Sequence, residues 1–415
     1  MGELVFNGER MCMKIIQLNC VYPNGSTGKI VQILHKDFIE QGNSSIVLYG
    51  RGEKIDEDSI YKVCSEINAK FNHLLSCFNG IMYGGCWLST QRIMSIIKSE
   101  QPDVVHLHCI NGYWVNIYRL ITWLRDSGIP TVITLHAEFM YTANCGYALE
   151  CENWRNGCGN CPRLKKETHS LFFDRTSTSF DKMRKAFIGF EEKLAVVSVS
   201  PWLLKRAKQS LILEDKKHVC IYNGVNTDVF KYTDKRTCLS KYCNTDEKVI
   251  LHVTAMFTDQ EDSIKGGLWL IQLAELLKDR HIRFIVVGKH NVKQQVPSNI
   301  TLVGEIKFQE LLAKFYAESD LTLLVSKKET FSMVVAESLC CGTPVVGFKA
   351  GAPEQIALAE YSDFYEQEDL VGLISGIDKW LNTDVNKSEI AKKASLVYSM
   401  KAMTANYLSI YGSLK

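Results

Sequence analysis

Glu329 and Glu337 stand eight residues apart in the stretch from Ser326 to Gly347, SKKETFSMVVAESLCCGTPVVG. Phe331, Val334, Val335, Ser338 and Leu339 recur between them at helical spacing, and Gly342 and Pro344 end the helix. Free backbone N–H groups around Phe331, Ser332 and Met333 would open that helix and suit an anion such as a diphosphate. Two carboxylates beside an anion site are compatible if the acids hydrogen-bond sugar hydroxyls while the amides and a distant cation hold phosphate. A nucleotide sugar presents both groups. The competing reading is an ordinary strand-helix-strand unit with a solvated Glu329 and a Glu337 on a polar helix face.

Lys265 is the candidate cation. With Gly266 it opens the helical run GLWLIQLAELLK, where the helix dipole opposes a positive charge unless an anionic ligand is present. The competing reading is an exposed lysine. His106, His108 and His136 fall at or near the ends of DVVHLH and IPTVITLH, where they are expected to share one sheet edge. A histidine in such a place is more often simply packed. The turn GSTGK from Gly25 is no Walker loop, because Pro23 and Ile30 stand where glycine and a hydroxyl residue would be needed. It reads as a glycine turn in which Gly25 and Gly28 let a ligand approach the backbone.

Four cysteines, Cys145, Cys151, Cys158 and Cys161, crowd the loop 143–163 without regular periodicity. Four thiolates can close around a tetrahedral structural zinc; otherwise they are free cysteines in a surface loop. The basic run Arg163, Lys165 and Lys166 follows, read as a solvated face or a contact with a membrane surface. Asp56, Glu57 and Asp58 sit among polar residues and read as a solvated loop rather than a metal motif.

Alternating strand and helix runs must position these residues. KIIQLNCVYP, SSIVLYG, DVVHLH, IPTVITLH and LAVVSVS give one doubly wound α/β domain, and VILHVTA, IRFIVVG, ITLVGEI, LTLLV and TPVVGF give another. The expected division is a tail over 1–12, a first domain over 13–226, a second over 227–397 and a terminal helix over 398–415.

The whole chain sets bounds. Its 415 residues, 46% hydrophobic and 23% charged, suit two globular domains. A net charge of +2 provides no field for nucleic acid, and none is expected as a partner. No apolar run approaches the roughly 18 residues of a membrane span, and the opening residues lack a signal-peptide core, so a cytoplasmic protein is expected. Fifteen cysteines are then reduced thiols or metal ligands rather than a disulfide framework.

The paired glutamates, followed by Gly342, Thr343, Pro344 and Val345, resemble the motif of family 4 retaining glycosyltransferases. The resemblance extends from Lys14 over nearly the whole chain, through Asn223-Gly224 and the Cys-Gly-x-Cys-Pro ending of the cysteine loop. It implies a GT-B fold: two facing Rossmann-like domains, the first on the acceptor side and the second binding the donor, with a C-terminal helix crossing back to the first. It implies transfer of a sugar from a nucleotide-diphosphate donor to a hydroxyl with retention, and no catalytic metal. Lys265 would lie on the diphosphate with the amides of Phe331 and Ser332, Glu329 on the sugar hydroxyls and Glu337 on the ribose. Gly28 would lie near the donor, and His136 would reach the donor sugar.

The resemblance further implies assembly of a bacterial capsule, exopolysaccharide or O-antigen on a lipid-linked acceptor, with peripheral association at the inner membrane face. Three positions depart from the family pattern. Thr330, Phe331 and Ser332 replace Gly-Phe-Gly, Ala137 replaces an Asp after His136, and Met256 to Thr258 lack the usual arginine. Rival readings are a nucleotide-sugar epimerase of the same fold and an inactive sugar-binding paralogue.

Overall fold

The computed structural model describes residues 12–234 and 237–414. The expected tail over 1–12 lies outside these residues except for Cys12. Short apolar runs bounded by turn residues become parallel strands buried on both faces, and the amphipathic runs between them become the covering helices.

The chain divides into two compact units. The first holds the described residues up to Val199, then Leu203–Ile221 and the chain from Thr404 onward. Its strands are β1 (Lys14–Val21), β2 (Ser44–Arg51), β3 (Ile60–Lys62), β4 (Val104–Leu107), β5 (Thr131–Leu135), β6 (Leu194–Ser198) and β7 (Lys217–Cys220). They form one parallel sheet in the order β3-β2-β1-β4-β5-β6-β7. The second unit holds Ser200–Trp202 and Tyr222–Met403. Its strands are β8 (Lys248–Thr258), β9 (Ile282–Asn291), β10 (Ile300–Gly304), β11 (Leu321–Leu324), β12 (Val345–Phe348) and β13 (Ser362–Tyr365), parallel in the order β10-β9-β8-β11-β12-β13. In each sheet the order reverses beside the first strand, which opens a crevice at the carboxyl ends of the strands.

The core of the second unit runs from Ile250 and Phe284 through Leu323 and Phe348 to Leu373 and Trp380. The edge strands β3 and β13 carried no sequence signal: they are three and four residues long, IYK and SDFY, and neither holds an apolar run.

The polar stretch 237–248 is anchored at its start. The buried carboxylate of Glu318 accepts the N–H groups of Thr237, Cys238 and Leu239 at 2.8 to 3.0 Å. Three converging donors offset the desolvation of that charge.

The terminal helix Met400–Gly412 returns to the first unit, as expected. Tyr411 Oη lies 2.6 Å from His106 Nδ1, and Tyr407 Oη lies 2.9 Å from Thr134 Oγ1. Among the described residues no helix is long and apolar enough to cross a membrane.

Candidate active site

In the second unit the loops after β8 and β11 meet. Gly266 caps the helix Gly267–Leu276 at φ 68°, and a Cβ there would stand 1.9 Å from the Val325 carbonyl oxygen. Only glycine allows this approach. The Lys327 N–H donates to Ile264 O at 2.7 Å, which ties the loops together. Lys265 Nζ consequently lies 2.7 Å from Glu329 Oε1, with the carboxylate largely buried and the ammonium partly exposed. The pair gives Lys265 a structural reason that its position at a helix start did not reveal.

Glu329 is held by its backbone as well. Its N–H donates to Ala350 O at 2.9 Å, and its carbonyl accepts from the Ala352 N–H. Glu354 supports that partner loop by accepting the N–H groups of Ala350 and Gly351 at 3.0 Å. Gly351, at φ 103°, leaves room for the Trp202 indole, which a Cβ would meet at 2.7 Å. Ser200 Oγ donates to Thr330 O at 2.7 Å, and Phe331 is buried against Tyr222 at 5.7 Å between ring centroids. Ser200, Trp202 and Tyr222 thus brace the loop from segments outside the continuous run expected for this domain.

The helix Met333–Cys340 begins at Ser332, whose backbone sits at φ 84° and ψ 91°. That region favours glycine, the residue usual in the resembling motif. The buried Ser332 hydroxyl has no hydrogen-bond partner. Glu337, one face of the helix further on, accepts from Tyr316 Oη at 3.1 Å, and burial together with that carboxylate raises the phenol well above its ordinary range. Beneath the Lys265 loop, His252 on β8 has Nδ1 3.1 Å from Leu323 O, and burial pushes it down to about 4. Neutral His252 adds no second positive charge beside Lys265.

In the first unit His136 follows β5 and is buried, its Nε2 3.2 Å from His108 Nδ1, with the rings stacked at 5.5 Å. Burial pushes His136 down to about 4, so it is neutral at pH 7. With Ala137 in place of an acid, His108 supplies an orienting partner. His106 is a packed residue, bonded to Thr134 and Tyr411. Gly28 lies within the helix Gly25–Glu40, and a Cβ there would press on Pro23 C at 3.0 Å and Val21 O at 3.1 Å. Its lack of a side chain serves packing of the turn against its own helix.

The cysteine loop is ordered by a polar cluster that sequence reading missed. Arg206 Nε donates to the fully buried Glu138 at 2.7 Å, its guanidinium lies 4.7 Å from the Trp154 ring centroid, and Trp154 packs edge-on against Tyr141. Ala148 N–H adds a bond to the same carboxylate at 2.7 Å. The only available signal was an acid two residues beyond His136. Burial pushes the Cys145 and Cys158 thiols up to about 12. Among the described residues, however, no group of three or more His, Cys, Asp or Glu is placed to hold a metal ion. Glu138, Arg206 and Trp154 tie the loop down through their own hydrogen bonds and ring contacts. Asp56, Glu57 and Asp58 are exposed, Asp56 facing Lys54 at 3.7 Å, in keeping with a solvated loop.

Two Rossmann-like sheets, a terminal helix returned to the first, and an acid-lysine pair at the ligand edge of the second define a glycosyltransferase of the GT-B class. The profile described as Glycosyltransferase Family 4 matches residues 34–229, and that described as Glycosyl transferases group 1 matches residues 247–382. The chain belongs to the family 4 glycosyltransferases. It is 22% identical to WcaC of Escherichia coli K12, a glycosyl transferase assigned by name to colanic acid biosynthesis, across 97% of this chain and all of that one. It is 25% identical to an uncharacterized 41.2 kDa protein in the cps region of Klebsiella pneumoniae, covering 77% of this chain and 82% of the relative. Among solved structures it is similar in fold to Anabaena Alr3699/HepE in complex with UDP, at 14% identity and a TM-score of 0.63, over 97% of this chain and all of the other.

Proposed function

We propose that this glycosyltransferase moves a sugar, with retention at the anomeric carbon, from a nucleoside-diphosphate donor to a hydroxyl of a growing, lipid-linked surface glycan. The observation that carries the reading is the Lys265–Glu329 pair at the carboxyl edge of the second sheet, beside the N-terminus of the helix Met333–Cys340. Polysaccharide assembly is supported by the names of the relatives, and a nucleotide-sugar donor by the UDP held by the HepE neighbour.

In this reading Lys265 and the amides near Phe331 and Ser332 stabilise the departing diphosphate, where charge develops in the transition state. Glu329 holds the donor sugar's hydroxyls, Glu337 the ribose hydroxyls, and neutral His136 offers a hydrogen bond to the sugar. No step requires a metal.

The test is a thermal-shift screen of the wild type against uridine, guanosine and adenosine diphosphates and their sugars, beside Lys265→Ala and Glu337→Ala. A ligand bound by the folded state alone raises the melting temperature. One nucleotide class should do so, and both substitutions should weaken the effect. Absence of a shift with every nucleotide at millimolar concentration would overturn the donor site. Conversion of the donor without an acceptor would indicate an epimerase instead.

A further inference from the structure

Cys64 and Cys86 stand at the starts of two helices of the first unit. Cys64 precedes Ser65, the N-cap of the helix Glu66–Asn79, and Cys86 is itself the N-cap of the helix Trp87–Glu100. The helix Glu66–Asn79 leaves its apolar stripe of Ile67, Phe71, Leu74, Leu75 and Phe78 exposed and turns Asn72 and Ser76 inward. That inner, polar side joins the two cysteines. Asn68 Nδ2 lies 3.7 Å from Cys64 Sγ, Asn72 Nδ2 donates to Asn68 Oδ1 at 2.8 Å, and Asn72 Oδ1 accepts the Cys86 N–H at 2.7 Å. The cysteine side chains hydrogen-bond to each other and both to Ser89. Both are free thiols, Cys64 5% and Cys86 3% exposed.

These surroundings favour a thiolate. Helix N-termini and a nearby guanidinium both stabilise negative sulfur, and Arg51 acts on Cys64 in that sense. The bond with Cys86 is the largest influence on Cys64 and outweighs burial, holding its thiol below the usual range, while the same bond raises Cys86. Burial pushes other cysteines the opposite way, Cys20 up to about 11 and Cys109, Cys145, Cys158 and Cys340 up to about 12. Cys86 also holds φ 60° and ψ 40°, a left-handed conformation that glycine would adopt at no cost. A side chain kept at such a position points to use of its thiol. Cys86 lines a cavity of about 260 Å³ with Asn72, Tyr113 and Lys182, which gives a small oxidant a way in.

We propose that Cys64 and Cys86 form a reversible thiol–disulfide modification site whose oxidant is a peroxide. The Cys64 thiolate attacks one oxygen of hydrogen peroxide; an S–O bond forms, the O–O bond breaks, and the departing hydroxide takes up a proton as water. The Cys86 sulfur then displaces the hydroxyl from Cys64, so that the S–S bond forms, the S–O bond breaks and a second water leaves. The two thiols give up two protons and two electrons, and one peroxide becomes two waters.

The new bond acts on the loop that follows β4. In the reduced chain Cys86 Sγ donates to Tyr113 O at 2.6 Å. Tyr113 packs on His73 at 4.6 Å between ring centroids, and Arg51 Nη1 donates to the adjoining Gly112 O at 3.1 Å. A disulfide has no S–H, so Tyr113 loses that donor and the loop at the carboxyl edge of the first sheet is loosened. The inference goes beyond the transfer reaction and stands without it, since oxidation of the pair involves no sugar donor.

The test is treatment of the full chain with graded hydrogen peroxide, alkylation of the remaining thiols in denaturant, and peptide mass mapping without reductant. A Cys64–Cys86 linked peptide should form first, leaving two fewer alkylated cysteines than the fifteen of the reduced chain, and dithiothreitol should restore all fifteen. Cys86→Ser, which keeps a hydroxyl donor beside Cys64, should give no linked peptide but a Cys64 sulfenic acid that dimedone traps. In hydrogen exchange the amides of 111–116 should speed up on the order of fivefold in oxidised wild type, the scale of one lost hydrogen bond, and not in peroxide-treated Cys86→Ser. A first linkage among Cys145, Cys151, Cys158 and Cys161, or survival of every thiol, would overturn the proposal. So would a linked pair that leaves exchange in the loop unchanged. Linkage without any nucleotide-induced stabilisation would support this site while sinking the donor-site reading.

Discussion

Arg206 Nε lies 2.7 Å from Glu138 Oε1, and the carboxylate has no exposure to solvent at all. The two residues come from different segments of the first unit and lock the cysteine loop through Trp154. Removing one partner of such a pair leaves the other as an uncompensated buried charge. Arg206→Ala is expected to cost about 3–5 kcal/mol in urea unfolding. Glu138→Leu combined with Arg206→Met should cost less than the two single changes added together. Strict additivity in that cycle would show that the pair is not coupled.

Lys265 and Glu329 form the corresponding pair in the second unit, but the lysine is partly exposed. Solvent screening keeps its contribution to stability within about 1 kcal/mol. In turnover with a nucleotide-sugar donor, Lys265→Ala should lose about 10²- to 10³-fold in kcat, the scale for removing one electrostatic stabiliser. A variant that melted far below wild type yet kept its kcat would reverse this assignment and make the pair purely structural.

Ser332 holds a positive φ of 84° and buries a hydroxyl without a partner. Glycine at this position relieves both while keeping the backbone N–H. Ser332→Gly should therefore raise unfolding free energy by up to about 1 kcal/mol. Turnover should stay near the wild-type value, because the proposed contact is made by the amide. A collapse of kcat would assign the role to the hydroxyl.

Buried histidines make the fold sensitive to acid. His136 and His252 are pushed down to about 4 by burial, against an ordinary value near 6.5. Between these values the unfolded chain binds protons that the native chain does not, so stability falls as pH falls. Each histidine should contribute a slope of about 1.4 kcal/mol per pH unit, beginning near pH 6.5 and ending near pH 4. Denaturant titrations at stepped pH should show a plateau above neutrality and this decline below it. His252→Gln should flatten the decline, and an unchanged slope would contradict the assignment.

Chelation separates metal from catalysis. With no set of ligands gathered among the described residues, EDTA should leave both melting temperature and transfer rate unchanged. A drop in melting temperature with the rate intact would restore a structural zinc at Cys145, Cys151, Cys158 and Cys161. Loss of rate with an unchanged melting temperature would contradict a metal-free mechanism.

The strands that build the two sheets were legible because each buried parallel strand is a short apolar run closed by turn residues, as in Leu321–Leu324 and Val345–Phe348. The edge strands β3 and β13 were not, because at three and four residues neither holds an apolar run. Glu329, Glu337 and Lys265 were legible as types and spacings around a helix start. Their partners were less so: Tyr316 for Glu337, and the backbone braces from Ser200 and Trp202, come from distant segments.

Sequence alone determined where the chain turns, which runs are strand or helix, and which acids, lysine and histidines stand at strand ends. These follow from periodicities of two and 3.6 residues, which are local. Tertiary structure alone decided that Lys265 meets Glu329, that Arg206 meets Glu138, and that the apolar stripe of Glu66–Asn79 looks outward while Asn72 and Ser76 look in. A helix's periodicity separates its two faces but does not say which one will find a neighbour. An ion pair across more than sixty residues depends on where two loops cross, here a crossing that Gly266 permits by having no side chain.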